Sequence, residues 1–179
     1  LTSRGNTYNS VGVVVTNSSI KYNLLYGIYN KAIMESTNDT FTAYDGKKAY
    51  SIFNESTNNA VVNNANITIN NISDYDAGIY NKTGNLTVNT ANIEIYNGTS
   101  SRGIGSETSD ANTLVSDLTV NIHDINRDAY GMYVEDGQLQ VTTGTVTVSG
   151  TNAYGVYMLA GDYLQGTFEN TGVESTNTS

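Results

Sequence analysis

"AYGMYVEDG" at residues 129–137 and "AYGVYMLAG" at 153–161 are nearly the same nonapeptide written twice. Aligning on them brings out earlier copies: "LYGIYNKA" at 25–32, "AYSIFNES" at 49–56, "AGIYNKTG" at 77–84 and a weaker "RGIGSET" at 102–108. The anchor residues are Gly27, Ser51, Gly78, Gly103, Gly131 and Gly155, so the intervals are 24, 27, 25, 28 and 24 residues, a mean of about 26. A period of that size marks a repeat architecture in which each unit buries its apolar face only by stacking on the next.

Two further alternating runs follow each anchor, such as "NITINN" (66–71) after "NAVVNN" (59–64), and "NIEIYN" (92–97) after "NLTVNT" (85–90). Strict alternation is the period of a strand with one buried face, and no helical period fits it. A four-stranded propeller blade needs about 40 residues and a tight hairpin turn in each unit, and such turns do not recur here. Three strands per coil, each coil laid on the last, give an all-β right-handed parallel β-helix, since parallel crossovers wind that way. The reading is a single solenoid domain over 1–179 with six to seven coils, regular over 10–170 and ragged at 1–9 and 171–179. Gly12 lies only 15 residues before Gly27. Setting "VVVTNSSIKYN" (13–23) over "LTVNTANIEIYN" (86–97) makes the Gly12 run a second strand, so the chain enters partway through a coil.

The apolar positions set the expected register. After each anchor come Ile28, Ile52, Ile79, Ile104, Met132 and Val156, a ladder facing inward. Third-strand pairs are Ile20/Tyr22, Phe41/Ala43, Ile67/Ile69, Ile93/Ile95, Leu118/Val120 and Val146/Val148. Second-strand pairs are Val13/Val15, Leu86/Val88 and Leu139/Val141. Lys21, Thr42, Thr68, Glu94, Thr119 and Thr147 then point outward. Asn30, Asn54, Asn70, Asn71, Asn81, Asn97 and Asn121 follow strand ends, where amides can satisfy bent backbone and tolerate left-handed φ.

Composition narrows the function. The chain carries a formal charge of −9, with eight scattered basic residues and no Cys, Trp or Pro. No basic face exists to neutralise phosphates, so nucleic acid is excluded as a partner. Without Cys there is no disulfide, thiol nucleophile or thiolate metal site. No apolar run reaches the ~20 residues of a membrane span. The start at Leu1 shows no signal-peptide pattern and, lacking Met, reads as an excised piece of something larger.

The "AYGVYM", "AYGMYV" and "YGIYN" anchors, interleaved with "LTVNTANIEIYN" and "GTVTVSG", resemble the β-solenoid passenger regions of bacterial autotransporters and related surface adhesins. The likeness covers roughly residues 11–165 and lies in period and composition. It places the chain in the pectate-lyase-like right-handed β-helix superfamily and implies an extracellular or bacterial cell-surface location. Its implied role is non-enzymatic: adhesion to a host or environmental glycan or protein, or scaffolding with self-association through solenoid edges. The alternative that the same fold admits is a polysaccharide lyase or hydrolase, or a tailspike-like carbohydrate-active helix, because fold alone licenses no function.

Two residues after the anchor stand Tyr29, Phe53, Tyr80, Gly105, Tyr133 and Tyr157, in phase opposite to the inward ladder. Tyr29, Phe53, Tyr80, Tyr133 and Tyr157 are therefore the candidate binding residues, an outward aromatic column that either stiffens the sheet or faces a ligand. Tyr26, Tyr50, Tyr130 and Tyr154 precede the anchors and carry the same two readings. Asp74 and Asp76, Asp124 and Asp128, and Glu107 and Asp110 are read as solvated loop charge; no calcium-loop motif is present, and neither metal nor cofactor is expected. Arg102 beside Glu107 and Asp110, and Arg127 beside Asp124 and Asp128, are the stretches nearest to lyase chemistry. His123, the sole histidine, stands in no catalytic motif.

Overall fold

The structure, a computed structural model, describes residues 2–3, 6–9, 12–16, 24–160, 163–165 and 172–175, with side chains placed over 24–160. The strands are β1 (Thr2–Ser3), β2 (Asn6–Asn9), β3 (Gly12–Thr16), β4 (Leu24–Asn30), β5 (Met34–Glu55) and β6 (Ala60–Tyr96). Then come β7 (Ser100–Ser106), β8 (Ala111–Val134), β9 (Gln138–Met158), β10 (Tyr163–Gln165) and β11 (Gly172–Ser175). Every pairing is parallel, and each strand lies on the one about 26 residues before it, which makes a β-solenoid of about five turns. The expected six to seven coils shorten to about five because six anchors bound five intervals, while the described runs beyond them complete only parts of a coil. β6 runs unbroken for 37 residues, longer than one period, since its pairing with neighbouring coils continues past the corners. Among the described residues no helix is long and apolar enough to cross a membrane.

The corners are made by the residues that tolerate them. Asp45, Asn71, Asn97 and Asp124, stacked coil upon coil, have φ of 57°, 57°, 56° and 57°. A left-handed backbone is costly for most side chains and cheapest for Asn and Asp. Asn71 and Asn97 take the left-handed backbone expected of them and Asn121 does not; Asn97 follows β6, whereas Asn70, Asn71 and Asn81 lie within β6 and Asn121 within β8.

The anchor ladder is as expected. Ile28 pairs with Ile52, Ile52 with Ile79, Ile79 with Ile104, Ile104 with Met132, and Met132 with Val156. Two registers differ from the sequence reading. Ile93 and Ile95 pair with Val120 and Ile122, not with Leu118 and Val120. A slip of two residues keeps every side chain on its face, so alternation alone could not detect it. Val13 and Val15 pair with Phe41 and Ala43, which makes the Gly12 run a third strand, and Asn6–Asn9 takes the second-strand place against Met34–Thr37. The matched aliphatic spacing of two runs had masked the extra residues between Thr16 and Leu24. Ile20, Lys21 and Tyr22 lie outside the described residues.

Within the apolar interior runs a ladder of amides. Asn30 Nδ2 donates to Asn54 Oδ1 at 2.7 Å, Asn54 Nδ2 to Asn81 Oδ1 at 2.8 Å, and Asn81 Nδ2 to Thr113 Oγ1 at 2.9 Å. All four residues are fully buried. Asn54 and Asn81 also donate to the Thr83 and Gly84 carbonyls, so the amides satisfy the bent backbone that follows the anchor strand.

Asp76 departs from its reading as solvated charge. It occupies the column Leu25, Ala49, Asp76, Ser101, Ala129, Ala153, which is otherwise apolar except for Ser101. The register shift between Gly46 and Lys48 against β6 carries it there. Asp76 is fully buried; Ser101 Oγ donates to its Oδ2 at 3.0 Å, while Oδ1 has no partner. Burial pushes this carboxyl well above the usual carboxylate range, against the pull of the Ser101 hydrogen bond. An acid whose folded value exceeds its unfolded value of about 3.9 weakens the fold as pH rises from that value toward the folded one. Asp76→Asn, which keeps an acceptor for Ser101, should therefore raise the melting temperature at pH 7 and change it much less at pH 4. A difference that is equal at both pH values, read by differential scanning calorimetry, would contradict a neutral buried Asp76.

Candidate binding surface

An aromatic stripe climbs the outside of the anchor strands, on the opposite side of the backbone from the aliphatic ladder. In one column Tyr29 pairs with Phe53, Phe53 with Tyr80, Tyr80 with Gly105, Gly105 with Tyr133, and Tyr133 with Tyr157. A second column holds Tyr26, Tyr50, Ala77, Arg102, Tyr130 and Tyr154. Residues three apart in a straight strand face opposite sides, so one column should have pointed inward. The chain bends at the anchor instead. A Cβ at Gly131 would lie 2.2 Å from Val146 Cγ1 and 2.7 Å from the Gly155 carbonyl oxygen, so that coil needs glycine there, whereas Ser51 holds the same place in the coil of Tyr50 and Phe53. The bend turns both tyrosines outward: Tyr26 and Tyr29 stack at 4.9 Å, and Tyr130 meets Tyr133 edge-on at 5.2 Å.

Most neighbouring rings of the same column lie nearly parallel, Tyr29 and Phe53 at 58° being the exception. Phe53 and Tyr80 are 5.7 Å apart at 15°, Tyr130 and Tyr154 5.2 Å at 12°, and Tyr133 and Tyr157 5.7 Å at 11°. These are offset stacks, each contributing about 0.5–1.5 kcal/mol beyond area burial. Faces are thus turned toward the neighbouring coil, and the stripe presents mainly ring edges and phenol hydroxyls to solvent. Of the five candidate residues, all of which fall in one column, Phe53, Tyr80 and Tyr133 are buried among the other rings, and Tyr29 and Tyr157 are half-buried. The most exposed ring is Tyr154, in the second column, at 38%.

Gly105 interrupts the first column, and Arg102 fills the gap. Its guanidinium lies 3.4 Å from the Tyr133 ring centroid, 4.7 Å from that of Tyr75 and 5.7 Å from that of Tyr80, and its Nη1 donates to the Tyr80 hydroxyl at 3.2 Å. A Cβ at position 105 would lie 2.7 Å from the Tyr80 ring, so glycine makes the room. Sequence reasoning missed this joint. The only signal for Tyr75 was the longer 27-residue interval that its bulge creates, and Arg102 had been set against Glu107 and Asp110. Burial pushes the Tyr50 phenol up to about 12, and the Tyr75 and Tyr80 phenols also rise through burial.

Elsewhere the charged groups are engaged locally. His123 Nδ1 meets Asp124 Oδ2 at 2.7 Å and its Nε2 meets Glu94 Oε1 at 2.9 Å, while the ring stacks on Tyr96 at 5.3 Å. The Asp124 hydrogen bond, followed by that of Glu94, raises the imidazole above its ordinary value despite partial desolvation. With both nitrogens facing carboxylates, His123 acts as a clamp between coils. Arg127 Nη2 lies 3.4 Å from Asp128 Oδ2. Among the described residues no group of three His, Cys, Asp or Glu could hold a metal ion.

No protein-family model, curated protein or solved structure matches this chain.

Proposed function

We propose that this chain is a non-enzymatic β-solenoid module that binds a partner through its aromatic stripe, in the manner of a bacterial cell-surface or secreted adhesin. The observation that carries the reading is the stripe itself. Nine aromatic rings of the anchor columns, from Tyr26 to Tyr157, stand outside the lumen, where the aliphatic ladder already supplies the burial that stacking needs. Large amphipathic rings with a hydroxyl at the rim are the residues that binding surfaces favour. Of the two arginines that lyase chemistry would call on, Arg102 is committed instead to tyrosine rings.

Tyr154→Ala with Tyr157→Ala removes the outermost rings and tests the reading. On panels of immobilised glycans and extracellular-matrix proteins, binding by the wild-type chain should be lost in this variant. The melting temperature should fall by no more than about 12 °C, because the two stacks lost, Tyr130–Tyr154 and Tyr133–Tyr157, lie at the array's end. Wild-type binding indifferent to both substitutions, or sugar release from an acidic polysaccharide panel, would overturn the proposal.

A further inference from the structure

A column of charge runs beside the tyrosines. Two residues beyond Tyr29, Phe53, Tyr80, Gly105, Tyr133 and Tyr157, hence on the same outward face, stand Lys31, Glu55, Lys82, Glu107, Glu135 and Leu159. Backbone bonds keep them stacked: Glu107 N donates to Asn81 O at 3.1 Å and Glu135 N to Ser106 O at 2.9 Å. The lower half is complete. Glu55 lies 2.7 Å from Lys82 Nζ and 3.4 Å from Lys31 Nζ and accepts the Tyr29 hydroxyl, and Lys31 Nζ stands 5.0 Å from the Tyr29 ring centroid. The Lys82 hydrogen bond, then that of Tyr29, holds the Glu55 carboxyl down at about 2.

In the upper half the alternation fails. Glu107 and Glu135 follow one another with no lysine between them, and the next rung offers only Leu159, which is 57% exposed. Neither carboxylate has an ion pair or side-chain hydrogen bond among the described residues. Arg102 lies flat on Tyr133 and acts on Glu135 only at a distance, as Lys82 does on Glu107; neither cation pairs directly with these carboxylates. Both carboxylates act electrostatically on Tyr80, and Glu135 also acts on Tyr133. The lower half therefore shows a ring, a carboxylate and a cation brought together, whereas the upper half has Arg102 on the Tyr133 ring but no cation paired with Glu107 or Glu135.

We infer that the upper stripe docks a basic segment of a partner protein, its guanidinium or ammonium groups against Glu107 and Glu135 and their stems along the Tyr133 and Tyr157 edges. The inference rests on the binding role proposed for the stripe and names the partner's chemistry. A guanidinium suits the place because Arg102 already shows one held by these rings. The two glutamates outnumber the single Arg102 guanidinium at the site, so a partner of opposite sign relieves their mutual repulsion.

Isothermal titration with a tetra-arginine peptide tests this, with a tetra-glutamate peptide and cellotetraose as comparators. Wild type should bind tetra-arginine and not tetra-glutamate. Glu107→Gln with Glu135→Gln should weaken that binding roughly tenfold, and should leave the melting temperature unchanged or raised. Glu35→Gln with Asp117→Asn removes the same charge from other exposed positions and should weaken it less than about twofold. No binding by wild type, or equal losses in both pairs, would overturn the inference. Cellotetraose binding that survives the glutamate changes but not Tyr154→Ala with Tyr157→Ala would also overturn it, while leaving the stripe's binding role standing. Tetra-arginine binding that ignores both the tyrosines and the glutamates would remove both.

Discussion

Ile95→Asp should destabilise the solenoid by about 4 kcal/mol or more, the largest single effect expected here. Ile95 is fully buried mid-array and pairs with Ile122 one coil on, so no solvent reaches the introduced carboxylate. The substitution removes an aliphatic side chain from the ladder, at about 2–4 kcal/mol for a truncation of that size. It then adds an acid with nothing to pair it, which must stay protonated or expose itself by opening the coil. Thr119→Asp, on the exposed face of the same strands beside Asn92 and Thr145, should cost less than about 1 kcal/mol. Urea unfolding of both variants checks the assignment. Equal losses would mean that the inward and outward faces have been exchanged.

Asn54→Ala should cost about 2–4 kcal/mol, although Ala fits the space and introduces no charge. Asn54 is the central rung of the internal amide ladder: it accepts from Asn30 and donates to both Asn81 and the Thr83 carbonyl. Truncation strands a buried donor on one side and buried acceptors on the other, and the penalty is that of leaving them unmade. Asn85→Ala breaks a similar-looking bond, in which Asn85 Nδ2 donates to Asn59 Oδ1 at 3.2 Å. That pair is exposed, water replaces it, and the cost should stay under about 0.5 kcal/mol. Comparable losses for Asn54 and Asn85 would show that the interior ladder is hydrated.

Much of this architecture is written in the chain because a solenoid repeats its physical problem at every coil. Ile28 through Val156 must meet the same lumen, so the period, the parallel stacking and the anchor column of aromatics all follow from local alternation and spacing. Alternation distinguishes the two faces of a strand but not a slip of two residues, which is why Ile95 meets Ile122 rather than Val120. Interval lengths of 24 to 28 residues require insertions at the corners, and only the folded chain shows which residue each insertion displaces. One of them, between Gly46 and Lys48 against β6, both carries Asp76 into the lumen and brings Tyr75 beneath Arg102. The burial of Phe53, Tyr80 and Tyr133 is likewise invisible in sequence, because the rings that cover them come from neighbouring coils and from a second column that the bend at the anchor turns outward. The same holds for the charge column. Lys31, Glu55, Lys82, Glu107 and Glu135 are unremarkable along the chain, and become a sequence of paired and unpaired charges only when five coils set them one above another.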